Sequence, residues 1–207
     1  INADPGVNPQ IKDGRGNICP VTIIMPTLAM EAKEYVTKQK ELGYSEDLIE
    51  SFIFILDDKI HEAKDMLIER FDWICSQSPD AAKFMYENHA MAGYIPEEGI
   101  RSALKHGTLA LGQIGLAETL QILIGKDHTT PEGMELAKRI EQLFKDRCAE
   151  FKEKYKLNFG VYYSPAENLC YTSMQKFKAK YGIIPNVSDK EFFTNSIHVP
   201  VWKEIGP

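Results

Sequence analysis

Three short stretches limit what this chain can fold into. "VTIIM" (21–25), "GTLALGQIG" (107–115) and "FGVYY" (159–163) lack the apolar–polar alternation of a half-exposed strand. Runs of that kind are buried on both faces, as in parallel sheets. Each is followed by helical sequence. The order strand, helices, strand, helices, strand, helix, with a last apolar stretch "IHVPV" (197–201) as a final strand, predicts an α/β layer with helices outside.

The helices announce themselves by spacing and caps. Over 45–77, Leu48, Phe52, Ile55, Leu56, Ile60, Ala63, Leu67, Phe71 and Ile74 recur at three and four, which marks one buried face. Ser45 is the expected cap, with Glu46 and Asp47 at the positive end. "SPDAAKFMYEN" starts another helix, with Ser78 as cap and Pro79 in the first turn. "LAETLQILIG" predicts a short helix closed by Gly125. Thr130 and Pro131 open a second long amphipathic helix, with Leu136, Ile140, Leu143, Phe144, Phe151 and Tyr155 inward. The stretch from Ser164 to Gly182 is a further capped helix. Residues 1–17, with Pro5, Gly6, Pro9, Gly14 and Gly16, read as loop.

Composition excludes several classes. Net charge is −6, and the basic residues alternate with acids, as in "KRIEQLFKDRCAEFKEKYK". That pattern argues against a nucleic-acid partner. The longest apolar runs are too short to span a bilayer. The cysteines Cys19, Cys75, Cys148 and Cys170 form no C-x-x-C pair, and no two histidines stand at i, i+4, so no metal site is expected. With no signal segment, a reducing cytoplasm is the expected location.

Two places could carry chemistry. At "YYSPAENL" a strand passes at once into a helix. Ser164 and Glu167 have the spacing of a capping box, and the free N–H groups of a helix start suit phosphate. The bland alternative is a structural cap, and Glu167 brings negative charge to the spot. At "DGRGNIC", Gly14, Gly16 and Asn17 could bring backbone and a carboxamide to a ligand. Cys19, two residues on, would face the same way. The alternative is a turn residue and a small buried thiol. In "FFTNSIHVPV", Thr194, Asn195 and Ser196 precede His198, which reads more readily as a core histidine than a ligand. The glycines of "HGTLALGQIG" match no nucleotide fingerprint and suit close packing of strand against helix.

Four segments, "DGRGNICPVTIIMPTLAMEAK", "HGTLALGQIGLAETLQILIGKDH", "FGVYYSPAENLCYTSMQKF" and "VSDKEFFTNSIHVPV", occur here in one order. Together they resemble the catalytic barrel of the anaerobic (class III) ribonucleoside-triphosphate reductases, which are oxygen-sensitive glycyl-radical enzymes. The resemblance implies part of a ten-stranded α/β barrel made of two five-stranded halves. It implies an oxidoreductase that turns ribonucleoside triphosphates into 2′-deoxyribonucleotides for DNA replication, in the cytoplasm. A radical-SAM activating enzyme makes the glycyl radical, a cysteine thiyl takes the ribose 3′-hydrogen, and formate is the typical reductant. A homodimer is implied too.

On that resemblance, residues 1–207 are a central portion of the barrel. The ATP-binding regulatory domain, the thiyl-cysteine segment and the glycyl-radical and zinc region are expected outside it. No cofactor is expected in this portion, which should be inactive alone. Asn17 matches an active-site Asn that would hold the ribose. Ser164, Ala166, Glu167 and Asn168 match a turn that would take substrate phosphate, and Thr194, Asn195 and Ser196 match an interior motif. Cys19 departs from the pattern, and Cys170 reads as structural. Two other readings stand beside this one. One is a pyruvate formate-lyase-like glycyl-radical enzyme; the other is a helical interaction module, which predicts an exposed apolar stripe and no concave polar site.

Overall fold

The computed structural model describes residues 16–88, 90–200 and 203. Residues 1–15 of the expected opening loop, Gly14 among them, and His89 and Val201 lie outside them; Asn17, expected at the end of that loop, is already the first residue of a strand. The described elements are β1 (Asn17–Ile24), α1 (Met25–Glu41), α2 (Leu48–Cys75), α3 (Lys83–Glu87), α4 (Ile100–Leu104), β2 (Thr108–Ile114), α5 (Leu116–Ile124), α6 (Pro131–Tyr155), β3 (Asn158–Tyr163) and α7 (Glu167–Tyr181). The strands form one parallel sheet in the order β1-β2-β3. The three apolar runs are therefore its strands, and the chain is a helix-rich α/β fold.

The chain divides into two compact units. One takes Glu62–Leu111, Phe144–Tyr162 and the chain up to Val21. The other takes Thr22–His61, Gly112–Leu143 and the chain from Tyr163 onward.

In the first unit, Cys19, Leu67, Phe71, Leu109, Leu111, Phe151 and Phe159 are buried. Phe151 meets Phe159 edge-on at 5.5 Å between centroids. Lys64 is nearly buried in this apolar setting. Its Nζ reaches the Tyr155 hydroxyl at 3.2 Å and lies 5.1 Å from that ring's centroid, so the charge keeps partners as it leaves water.

In the second unit, the α2 residues Phe52, Leu56 and Ile60 are fully buried, as the three-and-four spacing predicts. The helix is capped by Asp47 rather than Ser45. Asp47 Oδ1 accepts the N–H groups of Ile49 at 2.8 Å and Glu50 at 2.9 Å. Helix α1 is not among the expected elements. Its inward residues are few and mostly small (Leu28, Ala29, Ala32), so its periodicity is faint, and it packs on α5. Pro26, just past the end of β1, opens α1, in whose first turn its missing N–H costs nothing. A further cluster joins Ile114 to Cys170, Met174 and Phe177 of α7 and to Phe193.

Among the described residues the expected final strand does not form. No described residue of 194–200 is in a strand; the segment is turn and irregular backbone, and the His198 N–H donates to the Asn195 carbonyl at 3.1 Å. Ser196 is left-handed at φ 50, which interrupts an extended run, and Pro200 has no N–H for a ladder. His198 is accordingly exposed, not a core histidine.

The glycines around β2 serve close packing. A Cβ on Gly107 would stand 2.3 Å from Ile18 Cδ1, and one on Gly115 would stand 2.4 Å from Pro26 Cγ. Gly115 is also left-handed, at φ 78. Gly115→Ala is therefore expected to lose more than the roughly 1–2 kcal/mol of the backbone conformation alone. Gly43→Ala, at φ 87 with nothing within 4 Å, should lose only that backbone cost. Urea denaturation of the two variants checks the difference.

Candidate functional site

The second unit brings together most of the residues that the sequence singles out. Strand β3 ends at Tyr163, and α7 begins at Glu167 with Ala166 as its N-cap residue. The expected capping box does not form. Ser164 is buried, and its Oγ lies 2.8 Å from Thr22 Oγ1 of β1, facing away from the cap role. Ala166 has no side chain to serve instead.

The cap comes from elsewhere in the chain. Asn195 Oδ1 accepts the Ala166 N–H at 3.0 Å, and Asn195 Nδ2 donates to Glu167 Oε1 at 3.3 Å. The Cys170 thiol also points to Asn195 Oδ1, at 3.7 Å. One carboxamide thus spans the start of α7. The N–H groups of Glu167, Asn168 and Leu169 remain without an acceptor among the described residues, as expected for a helix start. Three aligned N–H groups and the helix dipole favour an anion there. Exposed Glu167 opposes it in part.

Thr194 and Ser196, either side of Asn195, are buried. The Thr194 hydroxyl donates to Glu118 Oε1 at 2.6 Å and its N–H to the same oxygen at 3.1 Å. Beside this loop is a hollow of about 360 Å³. Its lining includes the apolar Phe193 and Val199, the Cys170 thiol, and the polar Glu167, Asn195 and His198. Burial pushes the Cys170 thiol up to about 11, and the charges of Glu118 and Glu167 push the same way. A larger hollow of about 680 Å³ is lined in part by Asp127, Asp189, Lys190 and Lys203. Each of its lysines faces a carboxylate: Lys190 meets Glu118 and Lys203 meets Asp127, both at 2.6 Å. Burial works against the Asp127 charge, yet Lys203 and Thr129 hold its carboxyl down to about 2. Both lysines of this hollow are thus already paired, and the smaller hollow, beside the open start of α7, is the better candidate site.

Asn17 lies in the first unit, exposed at the opening of β1, while Cys19, expected to face the same way, is buried. The Cys19 thiol is 3.9 Å from the Leu67 carbonyl of α2, and burial raises its pKa. Among the described residues no group of three or more His, Cys, Asp and Glu could hold a metal, and no helix is long and apolar enough to cross a membrane.

Sequence reasoning missed Glu118 and Thr22 as members of the site. The signal for Glu118 was present: a lone carboxylate inside the apolar "LAETLQILI". Thr22 gave none, because a Thr within a strand is ordinary.

The family model described as anaerobic ribonucleoside-triphosphate reductase matches residues 3–207. The enzyme of that name from Salmonella typhimurium is 29% identical over 203 residues, and that from Enterobacteria phage T4 is 29% identical over 201. The match covers 96% of this chain in both cases, but only 27% and 30% of those relatives. Among solved structures, the anaerobic ribonucleotide reductase from Thermotoga maritima with citrate in the active site has a TM-score of 0.67 at 19% identity, covering 91% of this chain and 30% of that one. The same enzyme in complex with dATP and CTP gives 0.65 at 19% identity, covering 89% of this chain and 27% of that one. The likeness shows the fold, part of that enzyme's α/β barrel.

The surroundings of Cys170 make it inert. With a pKa of about 11, about a thousandth of it is thiolate at pH 8. Iodoacetamide at that pH should leave Cys170 unmodified in the folded chain and label it in urea, as read by peptide mass spectrometry.

Proposed function

The chain belongs to the anaerobic ribonucleoside-triphosphate reductase family, and on that premise we propose that its second unit holds the phosphate end of a ribonucleoside triphosphate. Residues 1–207 are read as part of the catalytic barrel of an enzyme that reduces this substrate to the 2′-deoxyribonucleotide. The observation that carries the reading is the open start of α7 beside a hollow, with the Glu167, Asn168 and Leu169 N–H groups unclaimed.

The roles of this chain's residues follow from that placement. The three N–H groups take phosphate oxygens, so the triphosphate is held by backbone dipoles and needs no long basic side chain. Asn195 keeps the turn at one spacing. The apolar wall with Phe193 and Val199 excludes water from one side of the ligand. The part-buried Ser164–Thr22 hydroxyl pair ties the end of β3 to β1, and so fixes where the turn begins. Asn17 is proposed as the amide that meets the ribose, and the reading of the phosphate site does not rest on it.

The glycyl radical supplies hydrogen-atom abstraction in such an enzyme, with formate as reductant. Neither the radical nor zinc is assigned to a residue of this chain. An activating enzyme, a second copy of the enzyme and a cytoplasmic setting belong to the same proposal. Reduction by the isolated chain is not expected.

Calorimetric titration of the 207-residue chain with ribonucleoside triphosphates tests the reading. Asn195→Ala is expected to weaken binding about tenfold, the scale of losing hydrogen bonds around a charged ligand. Raised salt should weaken it as well. Equal affinity of the parent and Asn195→Ala chains would remove the phosphate site from this turn. Asn17→Ala tests the sugar contact separately: affinity drops if the amide meets the ribose and is unchanged if it does not.

A further inference from the structure

Glu118 has no surface exposure at all, yet it carries a carboxylate into the core of the second unit. Burying such a group is costly unless donors meet it. Three do, all on the same oxygen. Glu118 Oε1 accepts from Lys190 Nζ at 2.6 Å, from the Thr194 hydroxyl at 2.6 Å and from the Thr194 N–H at 3.1 Å. A fourth bond binds the same pair of segments in the opposite sense, because the Thr194 carbonyl accepts the Gly115 N–H at 2.9 Å.

The start of α5 and the loop that carries Thr194 are therefore clamped at one point by both polar atoms of the Thr194 backbone and by its side chain. Asn195 is the next residue. Its carboxamide sits on the Ala166 N–H and on Glu167, at the start of α7. On the other side of Thr194, the Phe193 N–H donates to the Cys170 carbonyl at 3.2 Å, and the Phe193 ring is fully buried. After Asn195 the chain turns left-handed at Ser196. A short segment pinned before and kinked after leaves Asn195 little freedom to choose another direction.

Glu118 is not the cap of α5, whose N-cap residue is Gly115, although a carboxylate in the first turn suits the positive end of the helix. That preference does not require burial; the direction of the side chain is fixed by the three donors that it grips.

We propose that Glu118 is a positioning residue for the phosphate site: through Thr194 it sets the Asn195 carboxamide against the first turn of α7, and Lys190 balances its charge. Its relevance to substrate rests on the phosphate reading above; the geometric coupling from Glu118 to the Ala166 N–H does not.

The test uses the 207-residue chain and two readouts. The first is hydrogen exchange at the Ala166 amide, which reports the Asn195 contact with no ligand present. The second is the dissociation constant for each of the four ribonucleoside triphosphates. Glu118→Ala should speed exchange at Ala166 by about tenfold or more, as a bond group centred on a charged acceptor is lost. Glu118→Gln keeps an oxygen to accept from Thr194 and should restore most of the protection. The double variant Glu118→Ala/Asn195→Ala should bind no more weakly than Asn195→Ala alone, because both act through one contact.

Met174→Ala, a cavity in the neighbouring apolar cluster, controls for general loosening. If it speeds Ala166 exchange as much as Glu118→Ala does at equal loss of melting temperature, the proposal is overturned. Unchanged protection in Glu118→Ala overturns it too. Where Glu118→Ala does not fold, Thr194→Val, which removes only the hydroxyl, takes its place. The same acceleration supports the proposal, and unaltered exchange overturns it. Acceleration at Ala166 without triphosphate binding by any chain would keep the positioning role and discard the nucleotide reading.

Discussion

A buried carboxylate organises the second unit. Glu118 has given up water, and the compensation comes from Lys190 and from both donors of Thr194. A desolvated charge tolerates little drift in its partners, since each lost donor leaves it more exposed to the low-polarity interior. The loop carrying Thr194 and Asn195 is thus held by a stronger constraint than apolar contact alone. An apolar residue at position 118 could pack, but it would not choose one register for that loop.

The consequence appears at α7. A helix capped from within its own turn closes its first N–H groups with neighbouring side chains. Here the cap arrives from 29 residues away in sequence, as the Asn195 carboxamide on the Ala166 N–H. It occupies only the outermost N–H and leaves the next three open. Ser164, which could have closed them, is spent on Thr22. An anion-receptive helix start therefore depends on two diversions: one residue drawn away from the cap and another brought to it.

Legibility in the sequence followed the strength of local signals. The three strands are apolar runs; burial along the whole run holds for β2, whereas β1 is partly exposed and β3 ends in the exposed Tyr162 and Tyr163. The long helices α2 and α6 repeat their apolar residues over many turns. Thr130 does accept the Gly133 N–H at 3.1 Å, and Gly125 and Gly182 do close α5 and α7, at φ 68 and φ 76. Misreadings occurred where two residues could play one part. Ser45 and Asp47 were both able to cap α2, and the structure uses Asp47. Helix α1 escaped notice because its buried face is made of little more than Leu28 and two alanines. The stretch "IHVPV" looked like a strand by composition, yet Pro200 and the kink at Ser196 deny it a ladder.

The order of its segments was enough to tie this chain to its family, because spaced motifs persist where overall identity is low. The alternation of strands and helices was also decided locally, by periodicity and by chain-breaking glycines and prolines. Pairwise meetings between distant residues were not. That Asn195 caps α7 and that Glu118 grips Thr194 are outcomes of which surfaces pack together. Hydrogen bonds between residues far apart in sequence leave no periodic trace, so only the folded chain could choose them.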